Sequence, residues 1–287
     1  MAIENVSDTA RWVAVYRAME TKRPDAHFRD PYAERLAGPR GYEIVDTMKR
    51  GRASAWAMIV RTIVFDEIIL DAVKNGGVDV VLNLAAGLDA RPWRLPLPQS
   101  LRWIDVDLPG ILDYKLDMMA SETPVCRYEA VRVDLRDEPK RRALFSQIES
   151  SATRVLVVTE GLLIYLSEED VAGLARDLHA QRNFDLWLID LASPKLLEML
   201  KRSWGKNLEM GKAPFKFGPA EGTGFFARFG WREKEYRPTL DEARRLDREM
   251  PMIWFWRLLG MLAPPRRRAR VREEWRRMSG NVLLERT

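Results

Sequence analysis

Cysteine is almost missing from this 287-residue chain, with Cys126 the single example. One thiol can neither close an internal disulfide nor anchor a metal cluster. A disulfide-stapled scaffold and a cysteine-rich metal module are therefore excluded, and a reducing, cytoplasmic setting fits. No apolar run approaches the ~20 residues that span a bilayer, so no integral membrane segment is expected. The residues from Met1 to Asn5 lack a basic segment leading into an apolar core, so no secretory signal is expected either. A G-x-G-x-x-G run at a strand-to-helix turn is absent, which argues against NAD and FAD. A global excess of one charge is also lacking. The net charge is +5, and residues 264–277 alone carry seven arginines against two glutamates, which accounts for the excess. The remainder is near neutral, so no general attraction to nucleic acid or to a membrane surface is indicated.

What is present is an ordinary globular composition, 46% apolar and 31% charged, enough for one large α/β domain with a sizeable core. Residues 1–60 lack convincing strands. Trp12, Val13, Val15, Tyr16 and Met19 recur at roughly helical spacing over 9–20, Asp30-Pro31-Tyr32 makes a turn, and a second helix follows from Pro31. This reads as a helical cap. Residues 61–191 alternate between the two periods. A helix over 61–73 is stopped by Asn75-Gly76-Gly77. Strands are predicted over 78–84, 101–106, 128–133, 155–159 and 184–189, the first and fourth almost continuously apolar and so buried on both faces. Ser167 with Asp170 three residues on opens a further helix as a capping box. Such alternation predicts a doubly wound, mostly parallel sheet. Residues 192–287 are less regular: a loop over 214–219, a helix end and strand start around Phe229-Gly230-Trp231, and a last strand over 281–285. The whole is expected to be a single domain over 1–287.

Open α/β sheets bind ligands beyond the carboxyl ends of their strands, so the residue after each strand matters most. The first strand, reading Val80-Val81-Leu82-Asn83-Leu84, runs into Ala85-Ala86-Gly87-Leu88-Asp89, small residues that let a ligand approach the backbone. The competing role for this turn is a tight connection with no ligand. The second strand ends in Asp105 and Asp107, about 20 residues beyond the turn, the spacing of a ribose-binding acid. Both point the same way, so one of them is a candidate for a structural role. The third is followed by Asp134-Leu135, an acceptor for an adenine amino group beside an apolar cover for the ring. The fourth is followed by Glu160-Gly161. Any one of these acids alone reads as a solvated strand end. Four strands delivering small residues or acids to one rim point to an adenosine-type ligand with little phosphate, because phosphate calls for a glycine-rich turn or basic residues at the helix start. An acidic rim suits a sulfonium. Arg61, on the preceding helix, is placed to meet a carboxylate, with a surface salt bridge as its competing role.

Arg29-Asp30-Pro31-Tyr32, Arg61-Thr62, Leu82 to Arg91, Asp105-Val106-Asp107-Leu108-Pro109, Val133-Asp134-Leu135 and Thr159 to Leu166 occur in order and cover residues 9 to about 190. Together they resemble the leucine carboxyl methyltransferase-like family of class I S-adenosylmethionine enzymes, which includes bacterial O-methyltransferases. The resemblance implies a Rossmann-like, seven-stranded sheet with an antiparallel last strand. It implies S-adenosyl-L-methionine as cofactor, with Ala85 and Gly87 against its methionine part, Arg61 on its carboxylate, Glu160 near its amino group, Asp107 on the ribose, and Asp134 and Leu135 framing the adenine. Arg17 is a further basic candidate from the cap. Ala85 stands where the family usually has glycine, and Ala90 where it usually has threonine; the first narrows the turn by a methyl group. The implied reaction is O-methylation of a carboxylate or hydroxyl, on a small molecule by preference. A protein carboxyl group as acceptor, and a non-catalytic binder of the same fold, are the alternatives.

No catalytic base is named. His27 and His179 are the only histidines, and surface positions are expected for both. The late aromatics Trp204, Phe215, Phe217, Phe225, Phe226, Phe229, Trp254, Phe255 and Trp256 are assigned mainly to the core, with some available to an acceptor pocket. The apolar stretch 252–262 followed by Arg266, Arg267 and Arg268 is expected to be a buried helix leading into a solvated basic one.

Overall fold

A computed structural model describes residues 6–48, 51–210, 214–253 and 273–287, with the backbone alone for residues 6–7 and 204–210. The apolar stretch at 252–262, the arginines at 266–268, and Trp254, Phe255 and Trp256 fall wholly or mainly outside the described residues, as does the Trp204 side chain.

Seven strands form one sheet in the order β3-β2-β1-β4-β5-β7-β6. They are β1 Val80–Leu84, β2 Arg102–Asp107, β3 Arg127–Arg132, β4 Val155–Thr159, β5 Phe184–Ala192, β6 Trp231–Pro238 and β7 Ser279–Arg286. The first five pair in parallel, and β7 runs antiparallel to both β5 and β6. The expected α/β architecture is therefore present, antiparallel strand included. Every residue of β1 and β4 is buried. These are the two continuous apolar runs, and covering both faces is what such runs require. The edge strands β3 and β6 carry the charged, partly exposed sequences, which discourages pairing with another chain.

Helices cover both faces. They are α1 Val6–Thr21, α2 Ala33–Thr47, α3 Ala55–Lys74, α4 Arg91–Arg94, α5 Pro109–Met118, α6 Glu138–Glu149, α7 Glu168–His179, α8 Pro194–Met210, α9 Gly224–Ala227 and α10 Thr239–Arg245. One core gathers α1, α2, α3 and α5 on one face, and the other gathers α6, α7 and α9 on the opposite face. The helix predicted over 61–73 begins six residues earlier, at Ala55, because Ala55, Ile59 and Val60 are buried and extend its apolar side. It therefore runs from the cap region into the sheet region without a break. The Ser167–Asp170 capping box forms in both directions at the start of α7. Inside α2, Gly38 takes φ 59 immediately before Pro39 and kinks the helix, as a proline that supplies no N–H requires. Among the described residues no helix is long and apolar enough to cross a membrane.

Candidate functional site

The strand order reverses direction between β1 and β4, so the connections leaving their carboxyl ends part there and open a cleft. The turn after β1 holds Ala85 at φ 55 and Gly87 at φ 52. Left-handed backbone is free for glycine, whereas a side chain there costs on the order of 1–2 kcal/mol, so Ala85 carries strain that glycine would not. A Cβ on Gly87 would lie 3.1 Å from the Ala10 side chain. The cap helix α1 thus rests directly on the turn.

Asp105 and Asp107 share a face of β2 but have different tasks. Asp105 is completely buried. It accepts from Lys115 Nζ at 2.5 Å, Trp103 Nε1 at 2.8 Å, Tyr128 Oη at 2.9 Å and Asn83 Nδ2 at 3.0 Å. Its capacity is used internally, and burial together with Asp105 pushes the Tyr128 hydroxyl far up. Asp107 is half-buried at the rim. Its two oxygens accept from the backbone N–H groups of Gly87 and Leu108, each at 2.7 Å. Every carboxylate oxygen has a second lone pair, so Asp107 is fixed in place and retains acceptors for a ligand. Burial raises its carboxyl above the ordinary aspartate value.

Asp134 and Leu135 follow β3. Asp134 is turned onto Arg136, an exposed arginine that bonds it at 2.6 Å. Leu135 is half-buried against the second core, and its carbonyl accepts from Arg141 at 2.6 Å.

Beyond β4 the site becomes a chain of charges. Arg61, buried on α3, donates through Nε to Glu160 at 2.9 Å and through Nη1 to Asp190 at 3.0 Å. Its Nη2 makes no hydrogen bond among the described residues. The other oxygen of Glu160 accepts from Arg91 Nη1 at 2.7 Å, and the same nitrogen reaches Asp89 at 2.7 Å. Arg91 Nε bonds Asp66 at 2.6 Å, and Arg94 bonds Asp66 with two nitrogens at 2.6 and 2.8 Å. From there the chain passes to Asp30 and to Arg17, which pairs with Asp30 at 2.8 Å and donates to the Leu88 carbonyl at 2.5 Å. Burial works to raise the carboxyls of Asp89 and Glu160. Neighbouring cations outweigh it, Arg91 foremost, joined by Lys115 at Asp89 and by Arg61 at Glu160, and hold both below their ordinary values.

The surface salt bridge weighed for Arg61 is thus replaced by a buried pair. Asp66, Arg91, Arg94 and Asp190 were not singled out from the sequence. Asp190 was within reach of the strand-end rule, since it lies one residue past the predicted end of the fifth strand and its Oδ1 accepts from the Gly161 N–H at 2.6 Å. Asp66 carried a signal of another kind, a carboxylate within the apolar stretch of α3.

Tyr165, after β4, bonds Thr9 of α1 and is pushed up to about 12 by burial. Its ring lies 5.4 Å from that of Phe215. The strip carrying Phe215 is pinned by the Lys216 and Phe217 N–H groups to the Ile164 carbonyl. Neither histidine reaches this rim; His27 is exposed, as expected, whereas His179 is not a free surface residue. His27 contacts the Leu246 carbonyl at 2.7 Å. His179 is half-buried, edge-on to Trp231 at 5.9 Å and pressed against Gly230. For His179, chain distant in sequence covers the ring. Of the late aromatics, Phe215, Phe217, Phe225 and Phe226 are core residues. Arg276 and Arg277 of the basic stretch pair with Asp241 and Glu273. Among the described residues no cluster of three or more His, Cys, Asp or Glu is placed to hold a metal ion.

A ligand for this rim can be specified from its donors and acceptors. Arg61 Nη2 offers a cationic edge to a carboxylate. Glu160 and Asp190 offer anions to an ammonium or sulfonium, the turn at 85–87 presents backbone without bulk, and Asp107 presents acceptors to hydroxyls. S-adenosyl-L-methionine has these complementary groups, and the residues fit it.

Comparison with known proteins agrees. The family model described as Leucine carboxyl methyltransferase matches residues 10–179. A Streptomyces coelicolor protein, named as a candidate S-adenosyl-L-methionine-dependent methyltransferase, is 36% identical over 173 residues, 57% of this chain and 60% of its own length. A Parafrankia relative named in the same way is 37% identical over 186 residues, 60% of this chain and 58% of its own. The matches thus span about six tenths of these curated relatives. Two solved structures share the fold. A candidate methyltransferase from Thermobifida fusca has a TM-score of 0.62 at 13% identity, covering 99% of this chain and 96% of its own. A DUF574 family protein from Streptomyces avermitilis has a TM-score of 0.57 at 12% identity, covering 97% of each chain.

Proposed function

This chain belongs to the leucine carboxyl methyltransferase family, and from that membership we propose that it is a methyltransferase acting on a carboxylate or hydroxyl oxygen of a small molecule. The family and fold imply S-adenosyl-L-methionine as its cofactor. The observation that carries the reading is the gathering of the Gly87 turn, Asp107 and the Arg61–Glu160 pair on one rim, although they come from four separate elements.

In this reading Arg61 holds the cofactor carboxylate through Nη2, and Glu160 holds its amino group. The backbone of Ala85 to Gly87 lies along the methionine part. Asp107 accepts from the ribose hydroxyls, and Asp134 and Leu135 frame the adenine, with Asp134 giving up its surface contact to Arg136. When bound, the cofactor supplies an electrophilic methyl group on a sulfonium, with a neutral thioether as leaving group.

The chain's own contribution is mainly placement. A carboxylate acceptor is already ionised near pH 7 and needs no base. Holding it in line with the methyl group and excluding water then supply the catalysis. A hydroxyl acceptor needs a partner to take its proton. Tyr165, held protonated by its environment, is suited to donating a hydrogen bond and unsuited to acting as that base.

Titration calorimetry with S-adenosylmethionine, S-adenosylhomocysteine and NAD tests the reading. Heat is expected from both sulfur ligands and none from NAD. No heat from either sulfur ligand would remove the cofactor assignment. Binding without methyl transfer to any member of a panel of carboxylic acids, phenols and alcohols would favour the non-catalytic binder.

A further inference from the structure

Arg91 is almost completely buried and touches three carboxylates from three parts of the chain. Its Nε bonds Asp66 of α3 at 2.6 Å, and its Nη1 is shared between Asp89 of the turn and Glu160 after β4, both at 2.7 Å. Asp89 Oδ1 also accepts from the Arg91 backbone N–H at 2.8 Å, which ties the guanidinium to the turn it serves. One nitrogen therefore joins the connections on the two sides of the cleft. Without it, Asp89 and Glu160 would face each other as like charges in a partly desolvated place, where repulsion is screened poorly.

Resting on the cofactor reading above, we propose that Arg91 is a positioning residue for the amino-acid end of the cofactor: it holds Glu160 beside Arg61, so that one carboxylate and one guanidinium edge present themselves together. Arg91 touches no ligand in this scheme and acts through Glu160. The charged and titratable groups around Glu160 are Arg61 and Asp66 of α3, Asp89 of the turn, Arg91 and Arg94 of α4, Asp190 of β5 and Tyr165 after β4. Arg91 heads the cations among them. Its loss leaves Glu160 with Arg61 as its one bonded cation, and leaves Asp89, then bonded through its side chain to Asn83 but to no cation, as a like-charged neighbour. Glu160 then takes up a proton at a higher pH, and its hold on an ammonium group weakens as the solution is acidified.

The test compares two ligands that differ at that end. S-adenosylhomocysteine carries the amino and carboxylate groups, and 5′-methylthioadenosine lacks both. Arg91→Gln is expected to weaken S-adenosylhomocysteine by roughly tenfold or more and to change 5′-methylthioadenosine by less than about twofold. Between about pH 5.5 and 7 the ligand amino group stays protonated. Over that range wild-type affinity should stay level, and that of Arg91→Gln should fall with pH. Arg91→Lys keeps the charge but cannot span three carboxylates. It should show a smaller loss confined to S-adenosylhomocysteine and a level pH profile. An equal loss for both ligands would overturn the inference in favour of general distortion, and unchanged affinity for both would also overturn it. If Arg91→Gln does not fold, the ligand split measured with Arg91→Lys decides by the same criteria. Failure of the wild-type protein to bind either ligand would instead overturn the cofactor reading itself.

Discussion

Where β1 meets β4, Arg61, Arg91, Asp66, Asp89 and Glu160 are buried or half-buried and bonded to one another at 2.6–2.9 Å. Where β2 meets β3, Asp107 is held, among the described residues, by two backbone N–H groups, and Asp134 leans on an arginine that is 76% exposed. The difference follows from solvation. A charge removed from water must be met by partners with good geometry, or it costs several kcal/mol. The first end is therefore fixed before any ligand arrives. At the second, the Asp134–Arg136 pair faces water, where an ion pair is worth about 0–1 kcal/mol, so in the proposed reading Asp134 gives up Arg136 for an adenine amino group at little cost.

The largest effect should come from removing the cation at the fixed end. Arg61→Met leaves Glu160 and Asp190 without their shared partner and should lower stability by about 3–5 kcal/mol in urea denaturation. A loss below about 1 kcal/mol would mean that this end is not locked.

Asp107→Ala should instead leave the denaturation midpoint nearly unchanged. It should weaken S-adenosylmethionine by roughly 10- to 100-fold in calorimetry, since hydrogen bonds to a charged group contribute about 1.5–3 kcal/mol. Unchanged affinity in a folded variant would remove Asp107 from the site.

Acid should divide the two ends by sign. Asp89 and Glu160 are held below their ordinary values of 3.8 and 4.5, so the stability they contribute is complete above those values and is lost as pH falls through the lower, folded-state values. Asp107 is shifted upward, so it takes up its proton first. On acidification, cofactor affinity should therefore decline before the unfolding midpoint does. Paired titrations of affinity and melting temperature would show this order, and melting that declines first would contradict it.

The smallest effect is expected from Asp134→Asn. It removes a surface pair and keeps an acceptor, and it should change affinity by less than about fivefold. A larger loss would mean that binding depends on Asp134 as heavily as on Asp107.

Much of this site could be read from the chain because its acids lie at strand ends. Gly87, Asp107, Asp134 and Glu160 each follow a run of apolar or alternating residues, and a parallel sheet brings such ends to one rim. The strand predicted over 155–159 is reproduced in the structure to the residue, since a short apolar run bounded by polar residues has few other places to go. Asp105 and Asp107 could not be separated in this way. Both satisfy the spacing, and only the folded protein brings Lys115, Tyr128 and Trp103 onto Asp105. Arg91 lay within the stretch that resembles the family, yet its sequence neighbours give no hint of three carboxylate partners.

Hydrophobic period and strand-end chemistry are local properties of a chain, and here they were enough to specify a mostly parallel α/β sheet and the acids that follow its strands. How the charges are shared is settled by packing instead. Arg61 finds Glu160 across 99 positions and Asp190 across 129. Which carboxylate a buried guanidinium meets depends on how α3 packs against the ends of β4 and β5, and no local pattern in the chain encodes that distance.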